Sequence, residues 1–372
     1  MSQHSRRDFL KTAATAAAGS ALLAGCAKSG TGDAPNLNLG KTYQWDMVTT
    51  WPSTFPVMGP GAEALARRIE VMSGGRLVIK VWGAGEKVPM AEVFNTVSAG
   101  QVQMGHGASY YWSGIVPAAQ FFTAVPFGMT PQMVNSWMYA GGGQQLWEEV
   151  YAPFDMIGMP AGNTGTQMAG WFNREIKSVS DLQGLKMRIP GFGGKVMGML
   201  DVQVQMSGGK EIYTNLELGV IDAAEWVGPY HDYQLGLHRI AKFYYYPGWQ
   251  EPSAMLELSI HKPSFDALPA DLQQIVRAAA ALSNAEVQAQ FESLNHEYLG
   301  KIRQERGDQV AIKPLPADVL TALQAKSAEA LSEVTGSDPM AKKVYASYQA
   351  FHKNVAAWNA VGQDAATALY KG

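Results

Sequence analysis

The sequence is poor in cysteine and in charge. Its 372 residues include a single cysteine, Cys26, so the chain can form no internal disulfide and no zinc site built from several thiolates. Only 16% of the residues are charged and the formal net charge is -3, which argues against a partner such as nucleic acid or an anionic membrane surface. Aromatic residues are plentiful by contrast, with 10 Trp and 15 Tyr, as is typical of a protein with large buried interfaces and an aromatic cleft.

The N-terminal residues predict export. Ser5-Arg6-Arg7-Asp8-Phe9-Leu10-Lys11 is a twin-arginine pattern, and an apolar, alanine-rich run follows as far as Leu23. That run is shorter than the roughly 20 residues of a membrane-spanning helix and is typical of a signal peptide. We therefore predict a twin-arginine signal over residues 1–26, a flexible tether over residues 27–40 and a periplasmic location.

The end of this signal is open to two interpretations. Leu23-Ala24-Gly25-Cys26 matches the lipobox of bacterial lipoproteins, with Cys26 at the lipidated position. Lipidation would give a reason for a free thiol in an exported protein. The alternative is a plain twin-arginine signal that is cleaved near the alanine-rich run, with Cys26 incidental.

The remaining residues, about 330, are too many for one ordinary core and predict two lobes. Between residues 42 and 104, strands alternate with helices, which predicts right-handed crossovers and a parallel sheet. We expect the strands at residues 42–50, 77–81 and 102–104, and the helices at residues 62–72 and 90–99. Ligands bind beyond the carboxyl ends of such strands, so Trp51-Pro52 and Ser109-Tyr110-Tyr111-Trp112 are candidate walls of a cleft.

Two later segments are expected to cross between the lobes. Residues 163–251 have their own alternation of strands and helices, and an apolar strand at residues 253–260 returns to the first lobe. The predicted fold class is therefore α/β, a two-lobe clamshell of the periplasmic-binding-protein type with hinge strands and long C-terminal helices. The assigned parts are residues 41–162 for the first part of lobe I, 163–251 for lobe II, 252–335 for the return to lobe I with a long helix, and 336–372 for a C-terminal helix.

The C-terminal third predicts helices. Residues 269–306 are expected to form one helix about 55 Å long. A last helix is expected to begin after Ser337-Asp338-Pro339, and its apolar residues step by heptad spacing through Val344, Tyr348, Phe351, Val355 and Trp358. This seam fits either packing on its own lobe or a dimer contact.

The strongest candidate for a binding site lies in the second lobe. Gly184-Leu185-Lys186-Met187-Arg188-Ile189-Pro190 predicts a short strand that presents Arg188 beside a glycine-rich loop. A guanidinium group meets a carboxylate with two parallel hydrogen bonds, so Arg188 is a candidate anchor for a small anion. The alternative for Arg188 is an ordinary salt bridge on the surface or between the lobes. Farther along the chain, Glu225 follows an apolar strand and Glu251 follows an aromatic loop, and an exposed turn is the alternative for Glu251.

With these residues identified, the sequence resembles the extracytoplasmic solute receptors of TRAP transporters, the DctP family. The family resemblance lies in Ser180-Asp181-Leu182-Gln183-Gly184-Leu185-Lys186-Met187-Arg188, in Gly83-Ala84-Gly85-Glu86 and in Ser98-Ala99-Gly100. A narrower resemblance to the branch that binds 2-oxo acids lies in Gly162-Asn163-Thr164-Gly165-Thr166-Gln167, Glu225-Trp226-Val227-Gly228-Pro229-Tyr230 and Tyr245-Tyr246-Pro247-Gly248-Trp249. The resemblance covers nearly the whole chain after the signal.

The resemblance implies a receptor that binds pyruvate, lactate or a similar monocarboxylate together with a metal cation. It implies that Arg188 pairs with the ligand carboxylate, that Asn163 and either Tyr110 or Tyr111 hydrogen-bond the ligand, and that a membrane permease of the TRAP type receives the ligand. It also implies a homodimer formed through the long C-terminal helix. Further contacts with the ligand are implied for Gln167, Trp226 and Trp249, and ligation of the cation is implied for Gln167, Glu225, the carbonyl of Trp226, and Glu251.

The charges at this implied site support a cation. Glu225, Glu251 and the ligand carboxylate would supply three negative charges against one positive charge from Arg188. The implied cation ligands are all oxygen atoms, which Na⁺ and Ca²⁺ prefer to the nitrogen and sulfur ligands typical of zinc and copper. The sequence leaves Na⁺ and Ca²⁺ both open.

Enzyme motifs are weak in this sequence, and we predict that the protein is not an enzyme. Ser207-Gly208-Gly209-Lys210 has the Ser-x-x-Lys spacing of penicillin-recognising enzymes but not their other motifs. Gly191-Phe192-Gly193-Gly194-Lys195 is glycine-rich but lacks the spacing of a phosphate-binding loop. His231-Asp232 and His238 have no third metal ligand at a suitable spacing. The alternative function is a periplasmic metal-dependent enzyme that is exported with its cofactor by the twin-arginine route.

Overall fold

The computed structural model of the protein describes residues 40–370. The predicted twin-arginine signal, Cys26 and residues 27–39 of the predicted tether lie outside this range. Within it, the strands are β1 (Tyr43–Thr49), β2 (Leu77–Trp82), β3 (Met104–Gly107), β4 (Met156–Asn163), β5 (Gly170–Phe172), β6 (Lys186–Arg188), β7 (Gln203–Gln205), β8 (Ala223–Ala224), β9 (Phe243–Tyr246), β10 (Met255–His261) and β11 (Ala311–Pro314).

The helices in the described range vary from five residues to 37. They are α1 (Met58–Met72), α2 (Val93–Ser98), α3 (Pro131–Ala140), α4 (Gly143–Tyr151), α5 (Gly191–Gly198), α6 (Gly209–Glu217), α7 (Pro229–Gln234), α8 (Lys262–Asp266), α9 (Ala270–Arg306), α10 (Ala317–Ser337), α11 (Pro339–Val361) and α12 (Gln363–Ala368). None of those within residues 40–370 is both long enough and apolar enough to cross a membrane.

The first lobe is built on a five-stranded sheet in the order β2-β1-β3-β10-β4. β1 pairs in parallel with β2 and β3, as the alternation of strands and helices predicts, and β10 runs antiparallel to β3 and β4. α1 covers this sheet with Leu65 and Ile69, which are fully buried. The helix begins four residues before the predicted start, because glycine and proline at positions 59–61 are poor helix formers and conceal its first turn.

The second lobe is built on a six-stranded sheet in the order β11-β9-β5-β8-β6-β7. β6 pairs in parallel with both β7 and β8, and β5 runs antiparallel to β8 and β9. The α/β fold class with two lobes is therefore confirmed. The structure differs from the predicted division of the chain at residues 252–335, because β11 pairs with β9 of the second sheet and α10 packs on α5. β11 has only four residues, and none of them is fully buried, so its sequence carries no clear signal of this pairing.

Four parts of the chain connect the lobes, and the fourth is α10, which leads from the second lobe to α11 on the first. The chain leaves the first sheet after β4 and returns before β10, and these crossing segments are joined by a hydrogen bond from the Thr164 amide to the Ala254 carbonyl at 2.9 Å. α9 is the third connection, and it is a single helix of 37 residues, about 55 Å long, as predicted. Its first half packs on β4 and α1, and its second half packs on α7.

The last long helix, α11, returns to the first lobe. Asp338 caps it by accepting a hydrogen bond from the Ala341 amide at 2.5 Å, which confirms the predicted start. Val344 and Tyr348 of the predicted seam are buried in the core of the first lobe, and the Tyr348 hydroxyl accepts a hydrogen bond from the Met129 amide at 2.7 Å. The seam leaves this core towards its end, where Trp358 is 68% exposed.

Candidate functional site

Arg188 and Glu225 meet because their strands are neighbours. β6 and β8 are parallel, with Arg188 in register with Ala224, so both chains emerge at the same edge of the second sheet. The Glu225 amide donates a hydrogen bond to the Arg188 carbonyl at 2.9 Å, and the Arg188 Nη1 atom donates one to the Glu225 carbonyl at 2.6 Å. The Glu225 carboxylate lies farther away, with Oε2 3.5 Å from Nη1.

The Arg188 side chain is held on two other sides. Its Nε atom donates a hydrogen bond to the Ser207 carbonyl at 3.2 Å, and its guanidinium carbon lies 4.8 Å from the centre of the Trp226 ring. Within residues 40–370, the hydrogen bonds of Arg188 use Nε and Nη1. A second nitrogen of the planar fork is therefore available to an anion, although the side chain is only 1% exposed.

Glu251 and Gln167 form the other side of the same polar cluster. The Gln167 Nε2 atom donates hydrogen bonds to Glu251 Oε2 and to Thr164 Oγ1, each at 2.9 Å. Two oxygen atoms of the cluster, Glu225 Oε1 and Gln167 Oε1, are buried and have no hydrogen-bond partner among the described residues. Because an unpaired buried oxygen is costly, these two atoms indicate a group that the protein itself does not supply.

The two carboxyl groups also have strongly perturbed acidity. Burial raises the pKa of Glu251 to about 8, against the opposing effect of Arg188. Burial and then the charge of Glu251 raise the pKa of Glu225 well above its ordinary value. A cation between the carboxylates would stabilise their charged forms, since the cost is the burial of negative charge.

The oxygen atoms at this site therefore fit Na⁺ or Ca²⁺. Within residues 40–370 no group of three or more His, Cys, Asp or Glu side chains is arranged to hold a metal ion. A cation here would depend on two carboxylates together with neutral oxygens from the Gln167 side chain and the Trp226 backbone. Hard cations accept such mixed oxygen ligands, so the residues that the sequence singled out are compatible with the ion.

The predicted cleft walls border a narrow cavity beside this cluster. Trp51, Tyr110, Tyr111, Gln167 and Trp226 line it. The two tyrosine rings stand edge to face, with centroids 4.7 Å apart. Because both tyrosines line the cavity, either hydroxyl is a candidate donor to a bound ligand.

Tyr110 also reaches across to the second lobe. Gly191, the first residue of α5, has a φ of +57°, and a Cβ atom there would lie 3.4 Å from the Tyr110 ring. The glycine-rich turn after Arg188 therefore brings the backbone of one lobe against an aromatic ring of the other.

Two further predicted ligand contacts have different surroundings. Asn163, at the end of β4, donates a hydrogen bond from Nδ2 to Ser253 Oγ at 2.9 Å and accepts one from the Gly165 amide at 2.9 Å, so its side chain joins the two crossing segments. Trp249 packs in the core of the second lobe, 5.9 Å from the Phe127 ring, and does not line the cavity. An aromatic loop residue of this size is indistinguishable in sequence from an ordinary core residue.

Sequence reasoning missed the residues that support the loop after Glu225. Asp232 is buried and accepts hydrogen bonds from the Trp171 indole at 3.0 Å, the Tyr244 hydroxyl at 2.7 Å and the Val227 amide at 3.3 Å. Burial raises the pKa of Asp232 to about 6. The only signal in the sequence is the position of His231-Asp232 directly after the aromatic loop, and by itself the pair predicts only an incomplete metal site.

The family described as bacterial extracellular solute-binding protein, family 7 (DctP) matches residues 47–337 of this chain. The chain belongs to this family. A monocarboxylate 2-oxoacid-binding periplasmic protein of a Nostoc strain is 42% identical to this chain over 362 residues, or 96% of each protein.

Solved structures of TRAP periplasmic solute-binding proteins have the same fold as this chain. A TRAP periplasmic solute-binding protein of Colwellia psychrerythraea, with bound calcium and pyruvate, is 37% identical, with a TM-score of 0.85 over 88% of this chain and 99% of that one. One from Pseudoalteromonas atlantica, with bound sodium and pyruvate, is 39% identical, with a TM-score of 0.84 over the same shares of the two chains. These similarities confirm the predicted resemblance to the receptors of TRAP transporters.

Proposed function

We propose that this DctP protein binds a small 2-oxo or 2-hydroxy monocarboxylate, such as pyruvate or lactate, together with Na⁺ or Ca²⁺. Arg188 would bind the carboxylate of the ligand. Gln167, Glu225, the Trp226 carbonyl and Glu251 would hold the cation, and Asn163 with Tyr110 or Tyr111 would bind the second oxygen of the ligand. The receptor would then present the closed form to the membrane subunits of a TRAP permease.

The observation that carries this proposal is a pair of buried oxygens, one of Glu225 and one of Gln167, that have no hydrogen-bond partner within residues 40–370. They lie in one cluster with the buried guanidinium group of Arg188. The oxygens can bind a cation, and the guanidinium group beside them can bind an anion. A carboxylate ligand alone would add a negative charge to two buried carboxyl groups, and a cation alone would leave Arg188 without an anion. The pair of solutes bound by the Colwellia and Pseudoalteromonas proteins, pyruvate with calcium or sodium, supports binding of both together.

We also propose that the protein is a receptor and not an exported enzyme. The hydroxyl groups that line the cavity belong to Tyr110, Tyr111 and Thr164. Burial raises the pKa of both tyrosines above the ordinary value, which disfavours a nucleophilic phenolate. Thr164 is hydrogen-bonded to the Gln167 amide and has no adjacent base in that contact.

The export route and the lipid anchor remain proposals that rest on the sequence. Arg6-Arg7 would direct the folded chain through the twin-arginine route to the periplasm, and Cys26 would be the lipidated residue. Mass spectrometry of protein purified from the membranes of its host would detect a diacylated Cys26. A soluble mature form that begins upstream or downstream of Cys26 would contradict the anchor.

A homodimer is the fourth proposal for this chain. Large apolar side chains are exposed along the end of α11 and beyond α12: Trp358 is 68% exposed, Val361 73%, Leu369 80% and Tyr370 87%. Apolar groups clustered in this way mark interaction surfaces. The predicted seam thus has one part that is covered by its own lobe and a second part that is available to another copy.

A thermal-shift experiment on the dialysed mature protein tests the main proposal. Pyruvate, lactate, longer 2-oxo acids and C4-dicarboxylates are compared, each with EDTA, Na⁺ or Ca²⁺. Binding to the folded state stabilises it by mass action, by about 2.7 kcal/mol when the ligand concentration is 100 times Kd. This stabilisation raises the melting temperature. We expect pyruvate to raise it only when the matching cation is present. No shift with any 2-oxo or 2-hydroxy acid would overturn the assignment of the ligand.

A further inference from the structure

His231 uses both nitrogens of its ring. Its Nδ1 atom accepts a hydrogen bond from the Trp226 indole at 3.0 Å, and its Nε2 atom is hydrogen-bonded to the backbone carbonyl of Pro56. An indole N–H can only donate and a carbonyl can only accept, so the ring is the neutral tautomer that carries its proton on Nε2. Burial lowers the pKa of His231 to about 4, in agreement with a neutral ring.

These two partners of His231 belong to different lobes. Pro56 lies between β1 and α1 of the first lobe, whereas Trp226 and His231 belong to the second lobe. The imidazole is only 2% exposed and lies between Phe55 of the first lobe and Phe291 of α9, with ring centroids 6.0 and 5.0 Å away. Opening of the lobes would break the bond to Pro56, while the bond to Trp226 lies within one lobe.

Asp232, the next residue, has a different structural role. Its three hydrogen-bond donors, Trp171, Val227 and Tyr244, all belong to the second lobe, so it fixes the loop in either state of the lobes. His231 is the residue of this pair whose hydrogen bonds depend on closure. Its partner Trp226 is also a wall of the cavity and lies against the Arg188 guanidinium.

We infer that His231 is a positioning residue: when the lobes close, Pro56 fixes the imidazole, the imidazole fixes the Trp226 indole over the cavity, and release of the ligand is slowed. This inference rests on the proposed function, because it requires closure around a bound carboxylate. Trp226 is the group in contact with the site, and His231 acts through it.

The test compares dissociation rates of pyruvate, measured by stopped-flow competition in the presence of the cation that the wild type requires. His231→Phe keeps a planar ring without either hydrogen bond, and we expect it to raise the dissociation rate at least about tenfold. His231→Gln retains one acceptor and one donor, and we expect it to restore most of the wild-type rate. His238→Phe is the matched control, because His238 is equally buried in the second lobe and stacks on Tyr233, away from the cavity.

A second variant keeps the test independent of one substitution. Trp226→Phe removes the indole N–H donor together with part of the ring that walls the cavity. In the double variant with His231→Phe the two effects should therefore sum to less than the separate effects, since both changes remove the same hydrogen bond. Dissociation within twofold of wild type for His231→Phe, or equal rates for the Phe and Gln variants, would overturn the inference while leaving the proposed function intact. Failure of the wild-type protein to bind pyruvate would overturn the proposed function, and the inference with it.

Discussion

The Arg188 guanidinium is 2.6 Å from the backbone carbonyl of Glu225 but 3.5 Å from the carboxylate of the same residue. The arginine is therefore fixed by a neutral oxygen, and the two opposite charges are only loosely paired. A close salt bridge would satisfy each group with the other. In this geometry the guanidinium group can still bind an added anion, and the carboxylate can still bind an added cation.

The anchor can be tested with Arg188→Lys. Lysine retains the positive charge but lacks the planar fork and the second hydrogen bond to a carboxylate, so we expect affinity for pyruvate to fall at least about 30-fold, or about 2 kcal/mol. Calorimetry with the cation present measures the loss. Arg239→Lys, at an exposed position of the second lobe, is the control and should bind like wild type. Wild-type affinity of the Arg188→Lys variant would rule out the forked contact.

The cation site can be tested with Glu225→Gln and Glu251→Gln. Each change removes a buried negative charge, so we expect the thermal shift produced by Ca²⁺ or Na⁺ to be lost, and pyruvate affinity to become independent of the cation. The same variants should be at least as stable as the metal-free wild type at pH 8, because glutamine neither buries a charge nor has to take up a proton on folding. Glu211→Gln, at an exposed carboxylate of α6, serves as the control. A cation-induced shift that persists in both variants would contradict the assigned ligands.

A buried carboxyl group outside the site predicts a dependence of stability on pH. Glu257 in β10 is fully buried and accepts a hydrogen bond from the Tyr151 hydroxyl at 3.0 Å, and burial raises its pKa well above 4.5. The folded state then retains a proton that the unfolded state loses, so stability falls as pH rises above about 4.5. The Glu257→Gln variant should not show this fall in stability, because glutamine does not titrate.

Thermal unfolding of the metal-free protein between pH 4 and pH 8 measures this effect. The melting temperature of Glu257→Gln relative to wild type should rise with pH, by at least about 2 °C over this range. Glu329→Gln changes an exposed carboxylate on α10 and should leave the difference constant. A difference for Glu257→Gln that does not change with pH would show that this carboxyl group is not protonated in the folded state.

The proposed dimer can be tested with Trp358→Asp. Light scattering of the wild type should give twice the mass of one chain, and the variant should give a single chain, because the charge cannot be buried in an apolar contact. Tyr139→Asp, at another exposed aromatic residue on α3, is the control. A monomeric wild type, or a variant that remains dimeric, would count against the proposed interface.

The sequence predicts most of the fold where local chemistry determines it. α9 and the cap at Asp338 follow from periodicity and from capping, and Arg188 follows from a strand that ends at a glycine-rich turn. The pairing of β11 with β9 is not predictable, since the register joins residues 68 positions apart in the sequence and is determined by the assembled sheet. The contacts of His231 are not predictable for a similar reason, and for Trp249 a core residue and a ligand contact have the same sequence signal. Burial in a core and contact across a cleft both call for a large, mostly apolar side chain.

The edge position of β11 has a consequence for biosynthesis. The second lobe needs β11 for its sheet and Leu315, Val319, Leu323 and Ala330 for its core, so a nascent chain cannot complete this lobe until the ribosome has passed those residues. A prematurely terminated polypeptide that stops after α9 would expose the tyrosine-rich β9 as an open edge, which is a template for aggregation. The second lobe therefore depends on the last fifth of the chain to complete both its sheet and its core.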